Sequence, residues 1–256
     1  MFTPYEYFYA WNKANDHDKV SNGISSLFTM IEGAFAKDRL IQILRDFVFY
    51  PDDSKKDEAI VCRYPQFFAA NKMLDNICDH LRPRGDGKGG TYFGATGCGK
   101  TYTMLFLTRL MNLRRATELS NPTTIIIVDR EDLDDQSSEL FVTAKHFLHE
   151  DDVRSIETRK ELGETLRGKK SGGVYVTTIQ KFSETTGLLS DRANIICISD
   201  EAHRTQTGVG SKLKVTSKAS RPATASQNIC ATASPTRRTA ASPAHRLTRP
   251  LPYSGR

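Results

Sequence analysis

Residues 94–101 read Gly-Ala-Thr-Gly-Cys-Gly-Lys-Thr, a complete G-x-x-x-x-G-K-T loop. Few short segments constrain a fold as strongly, because the glycines must lie where a Cβ is not tolerated and where successive backbone N–H groups converge on a polyphosphate. Such a loop demands a strand before it and a helix after it. Gly90-Thr91-Tyr92-Phe93 is a short apolar strand, with the turn residues 85–90 ahead of it. Thr101 to Leu119 carries Met104, Leu105, Leu107, Leu110, Met111 and Leu113 with no Gly or Pro, a helical pattern. Gly94, Ala95, Thr96, Gly97, Cys98, Gly99, Lys100 and Thr101 are therefore the candidate nucleotide-binding residues. Lys100 is placed to meet the β- and γ-phosphates and the Thr101 hydroxyl to ligate Mg²⁺ at the helix N-terminus.

About a hundred residues later, the run Asn194-Ile195-Ile196-Cys197-Ile198-Ser199 reads as a parallel strand buried on both faces and ends in Asp200-Glu201-Ala202-His203. Asp200 is a candidate Mg²⁺ ligand. Glu201 is a candidate general base for the attacking water, a role that needs a carboxylate near the γ-phosphate. Loop and acid pair together predict an ATP-driven motor. Two more runs, 123–128 after Pro122 and 173–179, read as strands of the same sheet. Strands alternating with helical segments predict an α/β fold, a doubly wound parallel sheet with ligands at the carboxyl ends of its strands. Asp129, Arg130, Thr177 and Thr178 then share the rim with the loop. They are candidate contacts to a nucleic-acid backbone, although caps and turns use the same residue types.

The blocks Gly94–Thr101, Ile125–Gln136, Thr177–Phe182 and Asp200–Gln206, the last reading Asp-Glu-Ala-His-Arg-Thr-Gln, resemble the motifs of superfamily-two helicases. They are most similar to those of the motor subunit of type I restriction enzymes. The segment Arg63–Lys72 resembles the stretch that this family carries ahead of the loop. The resemblance implies a RecA-like lobe that uses ATP and Mg²⁺, with Gln66 reading the adenine edge. A buried Gln capping a helix start is the other use of that residue. It further implies translocation of double-stranded DNA coupled to cleavage, with methyltransferase and specificity subunits as partners. The family's nuclease domain and its second motor lobe have no counterpart in these 256 residues, so the resemblance implies part of a larger machine. A nuclease-free translocase and a nucleotide-binding remnant without turnover are the alternatives.

Three regions follow: a connector at 1–55, the ATP-binding lobe at 56–216 and a basic tail at 217–256. In the connector, Leu40, Ile41, Leu44, Phe47 and Val48 form one expected amphipathic face, and Trp11 reads as packing. The net charge of +6 invites a nucleic-acid reading, but six arginines downstream of residue 218, where there is no lysine or acid, account for all of it. The remainder of the chain is balanced, so DNA contact rests on motifs.

The tail is dominated by Ala, Ser, Thr, Pro and Arg, and the helix–strand rhythm stops there. It fits a disordered phosphate-binding arm, a linker or translation out of frame. The last is preferred. Shifted by one base, Ala240 to Arg246 is compatible with Cys-Gly-Phe-Thr-Gly-Thr-Pro, similar to the family's next motif. On that reading the strand that should follow the acid pair is lost from the sheet. Five cysteines without a C-x-x-C pair, no signal peptide and no span-length apolar run predict a reduced, cytoplasmic protein.

Overall fold

The computed structural model describes residues 9–51, 59–95, 97–128, 138–178 and 190–200, together with the backbone of 229–235. Its centre is a six-stranded, wholly parallel sheet. The chain runs through α1 (Ser25–Gly33), α2 (Lys37–Asp46), β1 (Val48–Phe49), β2 (Ile60–Val61), α3 (Tyr64–His80) and β3 (Gly90–Gly94). It continues through α4 (Lys100–Leu113), β4 (Thr123–Val128), α5 (Lys145–Leu148), β5 (Val153–Ser155), α6 (Arg159–Gly168), β6 (Val174–Thr178), β7 (Ile195–Asp200) and β8 (Ile229–Pro235). The sheet order is β3-β8-β7-β4-β6-β5, and β1 and β2 form a separate antiparallel pair.

The sheet is covered on both faces, and the alternation of side chains along each strand decides which core a residue joins. Ile126 and Val128 of β4, Val174 and Val176 of β6, and Ile196 and Ile198 of β7 pack with α3 and α4. Their neighbours Ile125, Ile127, Tyr175, Ile195 and Cys197 pack on the other side with Leu162 and Leu166 of α6. This is the doubly wound, RecA-like α/β architecture expected from the sequence. α6 starts at Thr158, whose side chain accepts from the Glu161 amide, an N-cap that satisfies one of the four unpaired donors at a helix start.

Two expectations change. Ile229–Pro235 of the basic tail forms β8, paired parallel to both β3 and β7, so the sheet retains the strand expected to be lost. Ile-Cys-Ala-Thr-Ala-Ser-Pro carries a weak apolar signal, and the ladders of two neighbours supply what composition does not.

The connector helix α2 also turns a different face inward. Ile41 and Leu44 are exposed, while Ile43, Asp46 and Phe47 are buried. The reason is ionic. Asp46 accepts from the Arg114 guanidinium at Nε (3.0 Å) and Nη2, and from Arg45 Nη2 (3.1 Å), so a carboxylate with arginine partners occupies an interior position. Trp11 is packed as expected, against Tyr64, Phe67 and Phe68.

Candidate nucleotide site

β3 delivers the chain to the sheet's carboxyl rim at Gly94, and α4 leaves it at Lys100. The turn between them depends on two glycines in the left-handed region, Gly97 at φ +77° and Gly99 at φ +78°. An L-residue pays roughly 1–2 kcal/mol to adopt that conformation, which is why the spacing of glycines identified the loop. The Cys98 amide donates to the Ala95 carbonyl at 3.2 Å and tightens the turn. A Cβ added at Gly97 would meet nothing within 4 Å, so the loop is open on that side. No side chain caps α4. Its first amides lie beside the loop, where a helix N-terminus favours anions.

Behind the loop stands the first turn of α3. Gln66, 3% exposed, accepts from the Arg63 amide through Oε1 at 2.8 Å. Its Nε2 donates to the carbonyl oxygens of Gly99 (3.1 Å) and Cys98 (3.4 Å). Arg63 Nη1 donates to the Gly97 carbonyl at 3.5 Å. In a trans peptide the C=O and the next N–H point in opposite directions. Holding the Cys98 and Gly99 carbonyls toward α3 therefore turns the Gly99 and Lys100 amides away from α3, as an anion nest requires. Gln66 thus serves as the helix cap that one reading of it allowed. With both Nε2 hydrogens donated to the loop, its amide keeps one Oε1 lone pair beyond these bonds.

Ala95 is exposed, Gly94 is buried, and Cys98, Gly99, Lys100 and Thr101 are half-buried. Thr96 lies outside the described residues. Cys98 borders Tyr92, whose hydroxyl pKa is pushed up to about 12 by burial and then by that thiol. Tyr92 therefore stays neutral beside the loop.

On the same rim β7 ends at Asp200, half-buried. One strand, β8, separates β7 from β3, with Ala233 in register with both Asp200 and Tyr92. At one strand spacing of about 4.8 Å per step, the two strands are roughly 10 Å apart. Asp200 thus stands on the same rim as the loop, one strand away.

Glu201, Asp129 and Arg130 lie outside the described residues. Thr177 and Thr178 are at the carboxyl end of β6 but are buried, at 0% and 1% exposure. Thr177 Oγ1 donates to the Ile156 carbonyl at 3.4 Å, and Thr178 Oγ1 is buried without a hydrogen-bond partner. The structure brings Gln66, the loop and Asp200 together. It adds Arg63, which the sequence reading left without a role although it stands three residues before Gln66 at the N-cap. Among the described residues, no group of three or more His, Cys, Asp or Glu could hold a metal ion, and no helix is long and apolar enough to cross a membrane.

Comparison with known proteins points the same way. The family model SWI2/SNF2 ATPase matches residues 65–245, from the first turn of α3 through the loop, β7 and β8. The type I restriction enzyme HindI endonuclease subunit of Haemophilus influenzae is 34% identical over 193 residues, 73% of this chain and 18% of that protein. The proposed type I restriction enzyme MjaIXP endonuclease subunit of Methanocaldococcus jannaschii is 34% identical over 195 residues, again 73% of this chain and 18% of that protein. This chain spans less than a fifth of the length of these curated relatives. With a left-handed glycine loop ahead of α4, an acid-ended central strand on the same rim and a family match across most of its length, the chain belongs to the SWI2/SNF2 ATPase family.

Proposed function

We propose that this chain is the ATP-binding lobe of a type I restriction endonuclease subunit, part of an ATP-dependent translocase that moves double-stranded DNA in support of its cleavage. The observation that carries the reading is the placement of the Gly97–Gly99 nest and Asp200 on one rim, a single strand apart. Lys100 neutralises charge on the β- and γ-phosphates while the loop amides hold them. Thr101 and Asp200 are hard oxygen ligands of the kind Mg²⁺ takes; they would hold the ion, which would supply positive charge to offset that of the phosphate oxygens. Glu201 orients and deprotonates the attacking water. Gln66 offers its remaining Oε1 lone pair to the adenine edge, while its two N–H bonds hold the loop.

Thr177 and Thr178, at the carboxyl end of β6 on the far side of β7 from the loop, are buried and support the rim, while Asp129 and Arg130, next in the chain after β4, are the proposed contacts to the DNA backbone. Methyltransferase and specificity subunits complete the assembly. A reducing, cytoplasmic setting suits Cys62, Cys78, Cys98 and Cys197, which form no disulfide among the described residues.

The test is ATP binding and ATP hydrolysis with and without duplex DNA. Unsubstituted chain is expected to bind ATP, and Lys100→Ala to lose at least ten-fold in affinity. Unchanged ATP affinity in that variant would sink the phosphate-loop assignment. Hydrolysis that rises when duplex DNA and the remaining subunits are supplied supports the motor reading, and indifference to DNA counts against it.

A further inference from the structure

The exposed apolar side chains of this molecule are concentrated at one end of the chain. Among the described residues every large one except Val61 and Phe93 precedes residue 51, ahead of the family match at residues 65–245. Ile24, Leu27, Phe28, Ile31 and Phe35 recur at three- and four-residue spacing along α1 and the turn that extends it, from 50% exposed at Ile31 to 82% at Ile24. That spacing puts them on one face of the helix. The other side of α1 is already occupied: Met30 and Ala34 pack on the core, and a Cβ at Gly33 would run into the Trp11 indole. Arg39 Nη1 donates to the Gly33 carbonyl at 2.8 Å. α1 is thus anchored from behind while its apolar stripe faces outward.

The charges of α1 narrow down what covers the stripe. Its polar residues are Ser25, Ser26, Thr29 and Glu32, with no Lys or Arg, whereas a helix that lies on a membrane surface carries basic residues on its polar face. No side chain caps the start of α1, and its first turn holds no acid. Glu32 stands instead in the last turn, against the negative end of its own helix dipole, and makes no ion pair among the described residues. Ser25 and Glu32 are seven residues apart, close to two full turns, so both lie along the same edge of the stripe. Two copies of α1 packed antiparallel through their stripes bring Glu32 of each to the first turn of the other. Each acid then meets the positive end of a helix, and the two acids stay at opposite ends of the interface.

We infer that the outer face of α1 is the seat of a second copy of this chain, related by a two-fold axis that sets the two α1 helices antiparallel. Such a contact is self-complementary, with Phe28 and Ile31 nearest the axis. Five side chains of this size and exposure bury on the order of 1,000 Å² across two copies, the lower bound for a specific interface, so the dimer forms in the micromolar range.

The test is sedimentation velocity of the full chain over a concentration series. The unsubstituted chain is expected to pass from monomer to dimer through the micromolar range and to go no further, because a two-fold contact closes. Phe28→Glu puts a charge at the centre of the interface and should be monomeric throughout. Its urea midpoint is expected to stay unchanged, since Phe28 is exposed in the single chain, and that certifies its fold. Glu32→Gln should weaken the dimer roughly three- to thirty-fold, counting one helix-end charge on each copy. An unsubstituted chain that stays monomeric overturns the inference, and so does a dimer that survives Phe28→Glu, which then uses another surface. A dimer lost in Phe28→Glu but indifferent to Glu32→Gln overturns the antiparallel arrangement. A monomer that instead binds phosphatidylcholine vesicles, or the rest of a restriction subunit supplied as a separate chain, and loses that binding in Phe28→Glu gives the stripe to that occupant and overturns the dimer.

Discussion

Gly97 and Gly99 have nearly the same backbone angle and different surroundings, so they separate conformational strain from crowding. A Cβ at Gly97 enters open space, whereas at Gly99 it runs into the Gln66 amide nitrogen. Gly97→Ala is expected to cost about 1–2 kcal/mol for its left-handed angle. Gly99→Ala should cost more, because it also displaces Gln66 from the Cys98 and Gly99 carbonyls. Urea midpoints and ATP affinities of the two variants check the ordering, and equal behaviour would mean that Gln66 does not hold the loop.

A second residue-scale expectation concerns acid. Burial raises the Asp152 carboxyl, but hydrogen bonds from Lys169 (2.7 Å) and the Tyr175 hydroxyl (2.6 Å) outweigh it and leave its pKa below the ordinary value. A carboxyl depressed in the folded state stabilises above its unfolded pKa of about 3.9 and loses that contribution as pH falls through the folded value. Asp152→Asn should therefore cost stability at neutral pH and progressively less as pH falls, flattening the acid limb of a stability–pH profile.

At the scale of elements, the unexpected coupling is between the connector and the helix that follows the phosphate loop. Asp46 closes α2, and Arg114 caps the end of α4. Arg109 of α4 adds a bond from Nη2 to the Arg45 carbonyl at 2.7 Å, and its Nη1 donates to the Phe147 carbonyl. Asp46 is buried and Arg114 a third exposed, so removing the carboxylate leaves a partly hydrated guanidinium and should cost about 1–3 kcal/mol, less than a wholly buried pair would. Asp46→Ala is expected to fall in that range by denaturant titration, with part of the loss recovered when Arg114 is replaced by Met in the same chain. A loss under about 0.5 kcal/mol would show that the pair does not hold the two helices together. The amphipathic pattern of α2 misleads because apolar Ile41 and Leu44 face outward while a charge faces in, and no periodicity argument anticipates a buried Asp whose partner Arg114 lies 68 residues away.

For the molecule as a whole, β8 is the element on which the sheet turns. Among the described residues it is the only strand joining β3 to the other four, so without it the phosphate-loop strand and the Asp200 strand each present an unpaired edge. A chain ending at residue 228 is expected to aggregate and to bind ATP poorly, as size-exclusion chromatography and calorimetry would register. A monomeric truncated chain with full ATP affinity would mean that the loop and α3 hold the site by themselves.

What the sequence determined by itself is local and periodic. The loop spacing set the turn and its two left-handed glycines, and the apolar run 195–199 announced a strand covered on both faces. The rest needed the fold. Thr177 and Thr178 lie on the correct rim, yet strand alternation and neighbouring elements bury them, which no motif states. The sheet position of Ile229–Pro235 came from two ladders of neighbours rather than from its own small side chains. Arg63 and Tyr9 stand 54 residues apart, and only the packing of α3 behind the loop brings them to Gly97. Backbone conformation is written in consecutive residues. Pairing between distant ones is chosen by the free energy of the whole packed molecule.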